Sequence, residues 1–322
     1  MKIAIVYDLK ENYSFDSDCI NYYDFTYLSE VENVRKYLEL AGYETFLINN
    51  LNTFLTILNK NEKEFDLVFN MYEGFKSKNR EGLVPAICES YGIPCAFSDA
   101  FSSSFSLHKY QTNCFLRNMG INVPKGFLIT AMHKNIPEVK KFPIVLKPNT
   151  EGSSTGVKLI YNHSDLNDSI NKAVQMYGYD ILIEEYIKGA ELSVCILGTG
   201  DDAYIFTICQ YVDVNYKNIK ILDRETKLKD NYIFIKPRFN KHIIKKLCED
   251  SLMIHREMKF YDISRIDWRI HRNKNIFIEA TPLPDFSPRA EFDWGAANEG
   301  LDFSFVMNIL VESAMKRSKR DL

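Results

Sequence analysis

The stretch that most constrains this chain is residues 142–157, FPIVLKPNTEGSSTGV. Phe142, Ile144, Val145 and Leu146 make a short apolar run of the kind that forms a buried strand, with Lys147 at its end. The chain then turns through Glu151-Gly152-Ser153-Ser154-Thr155-Gly156 into a second apolar segment. Small residues let backbone N–H groups and hydroxyls approach anionic oxygens closely, and an adjacent lysine supplies the counter-charge. This is not a Walker loop, because the lysine precedes the glycines and no Gly-Lys-Ser/Thr follows. A surface hairpin also uses Gly and Ser, so a phosphate grip needs support from elsewhere in the chain.

The order of segments supplies part of it. Residues 2–7 (KIAIVY), 43–48 and 65–70 read as strands, and 29–41 as an amphipathic helix with Ser29 and Glu32 as a capping-box pair. Strands alternating with helices predict a parallel sheet with right-handed crossovers, so the first hundred residues read as a small doubly wound α/β unit. Residues 8–24 have no period and read as a loop. Asn70, Glu73 and Gly74 follow the third strand, and the carboxyl ends of open parallel sheets are where ligands bind. A second unit after Pro124 surrounds the Gly-Ser loop with strands, adds a helix over 165–177 capped by Ser164 or Asp165, and ends in ILIEEYI at 181–187.

A third unit, from 192, holds a charged loop at 213–231, a helix at 242–258 and a hairpin of 263–270 with 275–279. It closes with a helix at 303–315 and a basic run, KRSKRDL, that reads as solvated. Alternate residues of a hairpin share a face, so Asp267 and Glu279 can meet at one point in space. Magnesium takes one or two such carboxylates plus nucleotide phosphates, so the pair suits a metal beside a phosphate grip.

Net charge is −3, which gives no reason to expect nucleic acid as a partner. The apolar runs are strand-sized, so no membrane span is expected, and residues 1–7 are too short for a signal peptide. Seven scattered cysteines without C-x-x-C fit a reducing cytoplasm better than zinc or a disulfide frame. No G-x-G-x-x-G follows the first strand, which disfavours a dinucleotide-binding oxidoreductase.

In order, strand-Lys147-Pro148, Glu151-Gly152-Ser153-Ser154-x-Gly156, Glu184-Glu185-Tyr186-Ile187-x-Gly189-x-Glu191, Arg265-x-Asp267 and Ile278-Glu279-Ala280-x-Pro282 resemble the ATP-grasp superfamily. Within it the chain is most similar to D-alanine–D-alanine ligases and related carboxylate–amine ligases. Gly92-Ile93-Pro94 with Ser98-Asp99, Leu107-x-Lys109 and Gly120-Ile121-x-x-Pro124 extend the resemblance over nearly the whole chain.

The resemblance implies an ATP-grasp fold: a Rossmann-like unit over 1–108, a central lobe over 109–190, and a carboxyl-terminal lobe over 191–322, the two lobes clamping the nucleotide. It implies that Lys109 and Lys147 bind the phosphates of ATP, with Glu151, Gly152, Ser153, Ser154 and Gly156 closing over them. Glu184, Glu185, Tyr186 and Ile187 would form the adenine hinge, with Glu191 on the ribose and Lys227 reaching the phosphates from a mobile loop. Asp267, Glu279 and, more weakly, Thr281 would hold Mg2+, and Arg265 would stabilise the tetrahedral intermediate. The implied reaction phosphorylates a small carboxylate substrate and then condenses it with a small amine. A homodimer is the commonest expected assembly.

Four positions depart from the ligase pattern: Thr281 replaces an asparagine, Asp285 a glycine and Leu228 a tyrosine, and the Gly-Gly and Ser-x-Glu pattern after Tyr7 is missing. Asp24, Glu30 and Glu73 are the candidates to replace its ammonium grip, and Glu73 joins Arg265, Ser153 and Ser154 among the residues read as catalytic. Nucleotide-side motifs persist while substrate-side ones drift. That pattern fits a ligase retargeted to other substrates; the alternative is a non-catalytic, nucleotide-binding regulatory paralogue.

Overall fold

The computed structural model describes residues 1–13, 25–60, 64–75, 77–132, 138–178, 180–229 and 231–319. Asp24, one candidate for the ammonium grip, lies outside the described residues. So does the side chain of Leu228.

The first layer contains β1 (Lys2–Tyr7), α1 (Leu28–Leu40), β2 (Glu44–Asn49), α2 (Leu51–Asn59), β3 (Leu67–Met71) and α3 (Leu83–Tyr91). Its strands form a parallel sheet in the order β2-β1-β3. Alternation along each strand sorts the core into two faces. Ile3, Ile5, Leu67 and Phe69 pack with Val31, Val34 and Leu38 of α1. Ala4, Val6 and Val68 pack instead with Phe54 and Leu58 of α2 and with Val84 and Cys88 of α3. The sheet is therefore doubly wound, as the alternation of segments predicts. No capping box forms: α1 starts at Leu28 behind Tyr27, which puts Ser29 inside the helix. Glu32 faces Arg35 at 3.9 Å instead.

After α4 (Ala100–Leu107) and α5 (Lys109–Asn118) comes an antiparallel sheet of β4 (Gly126–Ile129), β5 (Ile144–Pro148), β6 (Lys158–Ile160) and β7 (Ile181–Glu185), in the order β4-β7-β5-β6. It is backed by α6 (His163–Tyr177), whose Leu166, Ile170 and Ala173 join Leu146, Ile160 and Ile183. The cap of α6 is Asn162, which accepts the Asp165 N–H at 2.9 Å, rather than Ser164 or Asp165; both lie within the first turn.

The third sheet, β10-β9-β8-β11-β12, is also antiparallel. It comprises β8 (Ala190–Leu197), β9 (Tyr204–Val212), β10 (Ile233–Ile235), β11 (Ile263–His271) and β12 (Lys274–Thr281). A short helix, α7 (Arg224–Leu228), interrupts the charged loop, and α8 (Lys241–Glu257) covers one face of the sheet over Trp268 and Phe277. Two helices close the chain, α9 (Glu291–Asn298) and α10 (Phe303–Ser318). Val306, Met307, Leu310 and Val311 of α10 belong to one apolar cluster with Ile3, Ile5 and Phe69, and α10 packs against α1, so the last helix joins the core of the first layer.

A buried polar joint holds these parts together. Asp262 accepts the Phe97 N–H at 2.8 Å and the Arg317 guanidinium at 3.0 Å on one oxygen. Its other oxygen accepts the Ser313 hydroxyl at 2.7 Å and the Thr199 hydroxyl at 3.2 Å. Arg317 also donates to the carbonyls of Cys95 (2.7 Å) and Phe97 (3.1 Å). The basic run therefore departs from the solvated reading: its first residues continue α10, and Arg317 serves carbonyls that burial would otherwise strand.

His255 of α8 is fully enclosed. Its Nε2 lies 3.1 Å from the Gly198 carbonyl and its Nδ1 2.7 Å from the Ser264 hydroxyl, so the ring proton sits on Nε2 and Nδ1 accepts. Burial pushes its pKa down to about 4. The unfolded chain takes up that proton near pH 6.5. The stability carried by the neutral ring is thus complete above about pH 6.5 and is lost as pH falls towards 4. Between pH 7 and 4 the wild type is expected to lose about 3 kcal/mol more unfolding free energy than His255→Gln, measured by urea denaturation. Parallel pH profiles in the two proteins would rule this out.

Candidate active site

The hairpin of β11 and β12 sets the register of the site. Asp267 stands opposite Glu279 and Arg265 opposite Thr281, all on one face, while Ile266, Trp268 and Phe277 go to the core. A register shift after Asp267 leaves Ile278 of β12 as the extra, unpaired residue of a bulge.

Four buried or half-buried cations converge on this face. Lys109, the first residue of α5, reaches Glu279 at 2.8 Å and the Glu151 carbonyl at 2.5 Å. Lys147, on β5, lies 2.7 Å from Glu184 on the neighbouring β7, and Glu184 also accepts from Asn113 at 2.6 Å. Arg265 spans Asp267, with Nε at 3.0 Å and Nη2 at 3.0 Å, and Glu291, with Nη1 at 3.1 Å. Arg269 bonds Glu191 and donates to the Ile187 carbonyl at 3.0 Å. Burial raises the Glu279 pKa, but Lys109, Lys147 and Arg265 outweigh it and hold the carboxyl at about 2. At Asp267 burial dominates, and its pKa is raised despite Arg265 and a 2.5 Å hydrogen bond from Ser193.

Two adjoining cavities meet at Lys109, Tyr211, Lys227, Arg265 and Glu279. The inner one lies between the second and third sheets. Its apolar wall includes Val145, Ile221, Leu222 and Ile278, and its polar wall includes Lys147, Glu184, Glu191 and Asp267. The outer one opens towards the first sheet, with Thr26, Glu30, Glu73 and Glu81 on that side and Thr281, Asp285 and Glu291 on the other.

The Gly-Ser loop divides the two. Gly152 and Ser153 line the outer cavity and Ser154 the inner. Ser153 (φ 46°) and Ser154 (φ 59°) adopt left-handed backbone, a strained conformation for residues with side chains, and Gly156 (φ 72°) adopts it freely. Arg224 of α7 donates to the Thr155 hydroxyl at 2.7 Å, so this loop and the charged loop are joined. Arg80 pins the loop's shoulder, with Nη1 at 2.6 Å from the Thr150 carbonyl and Nη2 at 3.3 Å from Glu151.

Of the residues singled out from sequence, the inner cavity gathers Lys109, Lys147, Glu151, Ser154, Glu184, Glu185, Tyr186, Ile187, Glu191, Lys227, Arg265, Asp267 and Glu279. Glu73 and Thr281 line only the outer cavity, and Asp267 only the inner. Gly156 lines neither; a Cβ there would lie 2.7 Å from Pro148, and its part is to make the turn. Asp285 is exposed and bonds the Ser287 N–H at 2.7 Å. Glu30 accepts the Phe286 N–H at 2.9 Å, tying α1 to the loop after β12. Among the described residues no group of three or more His, Cys, Asp or Glu side chains could hold a metal.

Sequence reading missed Glu291, Tyr211, Ser193 and Asp8. Tyr211 donates to Glu291 and lies 3.0 Å from Ser193, extending the Arg265 network. Asp8, buried just past β1, accepts the N–H groups of Glu73 (3.3 Å) and Gly74 (3.4 Å) and so positions the Glu73 loop. Its place at a strand's carboxyl end was the available signal.

The family model described as "D-ala D-ala ligase C-terminus" matches residues 116–312. The chain is 29% identical over 263 residues to D-alanine–D-alanine ligase A of Bacillus cereus, covering 79% of this chain and 83% of that protein. It is 26% identical over 288 residues to the D-alanine–D-alanine ligase of Thermotoga petrophila, covering 89% and 92%. The fold matches the crystal structure of a D-alanine–D-alanine ligase from Bacillus anthracis complexed with ATP, with a TM-score of 0.76 at 21% identity over 99% of both chains.

Proposed function

This chain belongs to the D-Ala–D-Ala ligase family, and from that premise we propose that it is an ATP-dependent carboxylate–amine ligase whose reaction runs where the two cavities meet. The observation that carries the reading is the convergence of Lys109, Lys147 and Arg265 with Asp267 and Glu279 on one cleft. ATP would occupy the inner cavity, its adenine against Val145, Leu222 and Ile278 beside the Tyr186–Ile187 edge, all of which line it. Its phosphates would lie towards Lys109 and Lys147.

Magnesium would rest on Asp267 and Glu279. Their two carboxylates in register supply only part of a shell, which suits an ion that takes its remaining oxygens from phosphates and water. When bound, the ion neutralises phosphate charge. Lys109 and Arg265 keep the Glu279 carboxyl ionised and ready for such an ion.

A substrate carboxylate oxygen attacks the γ-phosphorus, the bond to the β-phosphate oxygen breaks, and ADP leaves. An amine nitrogen then attacks the acyl carbon and loses a proton, and phosphate departs with the C–O electron pair. Arg265 faces the position where negative charge grows on the acyl oxygen, and fixed donors of this kind supply most of such catalysis. The acyl phosphate needs protection from water, and the Arg224–Thr155 bond lets the two loops close as one cover.

We place the reaction in the cytoplasm, where ATP is supplied; among the described residues no helix is long and apolar enough to cross a membrane. Incubation with ATP, magnesium and a panel of D- and L-amino acids is expected to release phosphate with at least one pair. Nucleotide binding without turnover across the panel would instead favour the regulatory paralogue.

A further inference from the structure

We propose that the amine used in the second step carries no carboxylate of its own, and that Glu291 sets this preference; the proposal rests on the ligase reading above. Glu291 is the first residue of α9, and its buried carboxylate lies in the wall of the outer cavity. It sits 3.1 Å from Arg265 and accepts a hydrogen bond from Tyr211. Burial opposes its charge, but Arg265, Tyr211 and, more distantly, Lys227 hold it ionised. A protein carboxylate thus already occupies the place beside Arg265 where an amino-acid acceptor would seek a counter-charge.

The other cations of the outer cavity also face carboxylates of the protein. Lys109 is taken by Glu279 at 2.8 Å, and Lys227 lies within the field of Glu291. The described lining carries six carboxylates (Glu30, Glu73, Glu81, Glu279, Asp285 and Glu291) against three cations (Lys109, Lys227 and Arg265). The donor's own carboxylate is consumed by phosphorylation on the nucleotide side. An acceptor's carboxylate would instead stay ionised beside Glu291, partly desolvated, and like charges brought together reject a ligand strongly. An acceptor whose only charge is its ammonium leaves the Arg265–Glu291–Tyr211 network intact.

The test uses the full chain with ATP and magnesium, in two stages. In the first, carboxylate donors are screened with hydroxylamine, a small neutral amine that traps an acyl phosphate as the hydroxamate whatever the natural acceptor. Absence of hydroxamate with every donor would overturn the ligase reading and this proposal with it.

In the second stage, the best donor is offered alanine, alaninamide and ethylamine, in both stereochemical forms where they exist. They are compared at equal free-base concentration, because the amines differ in basicity. Alaninamide or ethylamine is expected to exceed alanine in kcat/KM by about ten-fold or more, the scale of a like-charge penalty at one contact. In Glu291→Gln the ratio should shift towards alanine by about the same factor. Because the ratio is taken within one variant, a general loss of rate does not disturb it. If the variant does not fold, the wild-type ratio alone decides. Alanine preferred over alaninamide by the wild type, or an unchanged ratio in a folded Glu291→Gln, would overturn the proposal while leaving the hydroxamate result standing.

Discussion

Asp262→Ala is expected to lower the unfolding free energy by about 3–5 kcal/mol, the range for breaking a buried ion pair from one side. The side chain is fully enclosed and accepts four hydrogen bonds, from Phe97, Thr199, Ser313 and Arg317. Removing it leaves the Arg317 guanidinium, 18% exposed, without the carboxylate that balances it. Asp262→Asn keeps the volume and one acceptor, so it should fall between wild type and alanine. Urea denaturation followed by fluorescence measures the difference. A loss under about 1 kcal/mol in the alanine variant would mean the joint holds little, since an ordinary exposed pair gives that much.

Arg265→Lys is expected to lower kcat by about 10²–10³-fold, the usual cost of losing one preorganised donor to a developing oxyanion. The arginine is only 11% exposed, and its planar fork meets Asp267 on two nitrogens and Glu291 on a third. A lysine keeps the charge but can make neither the fork nor the span. ATP affinity should change far less, because Lys109 and Lys147 remain. Phosphate release at saturating substrates, with ATP binding and thermal midpoint measured alongside, separates the two effects. A kcat within threefold of wild type would remove Arg265 from the chemistry.

Some of the site could be read from the chain because its signals are local. Asp267 and Glu279 fall twelve residues apart around a recognisable turn, and a period of two does the rest. Lys147 announces itself as the charge at the end of an apolar run. Glu291 gave no such signal: it opens an eight-residue helix too short to show a period, in a stretch that resembles a loop. Tyr211 and Ser193 look like ordinary strand residues, and only the pairing of β8 with β11 on one side and β9 on the other brings Ser193 to Asp267 and to Tyr211. Arg317 sits in a run of charge that solvent usually claims, and its partner Asp262 is 55 residues away. The caps of α1 and α6 lie two or three residues before the expected ones, at Tyr27 and Asn162, because helix ends are weakly marked in sequence.

The placement of α10 bears on how the protein is made. A ribosome releases Ile3, Ile5 and Phe69 long before residues 303–318, which share one apolar cluster with them. Until then that greasy surface lacks part of its cover. Exposed apolar surface of this kind makes an unfinished chain prone to aggregate, and contacts between segments so far apart in sequence form slowly.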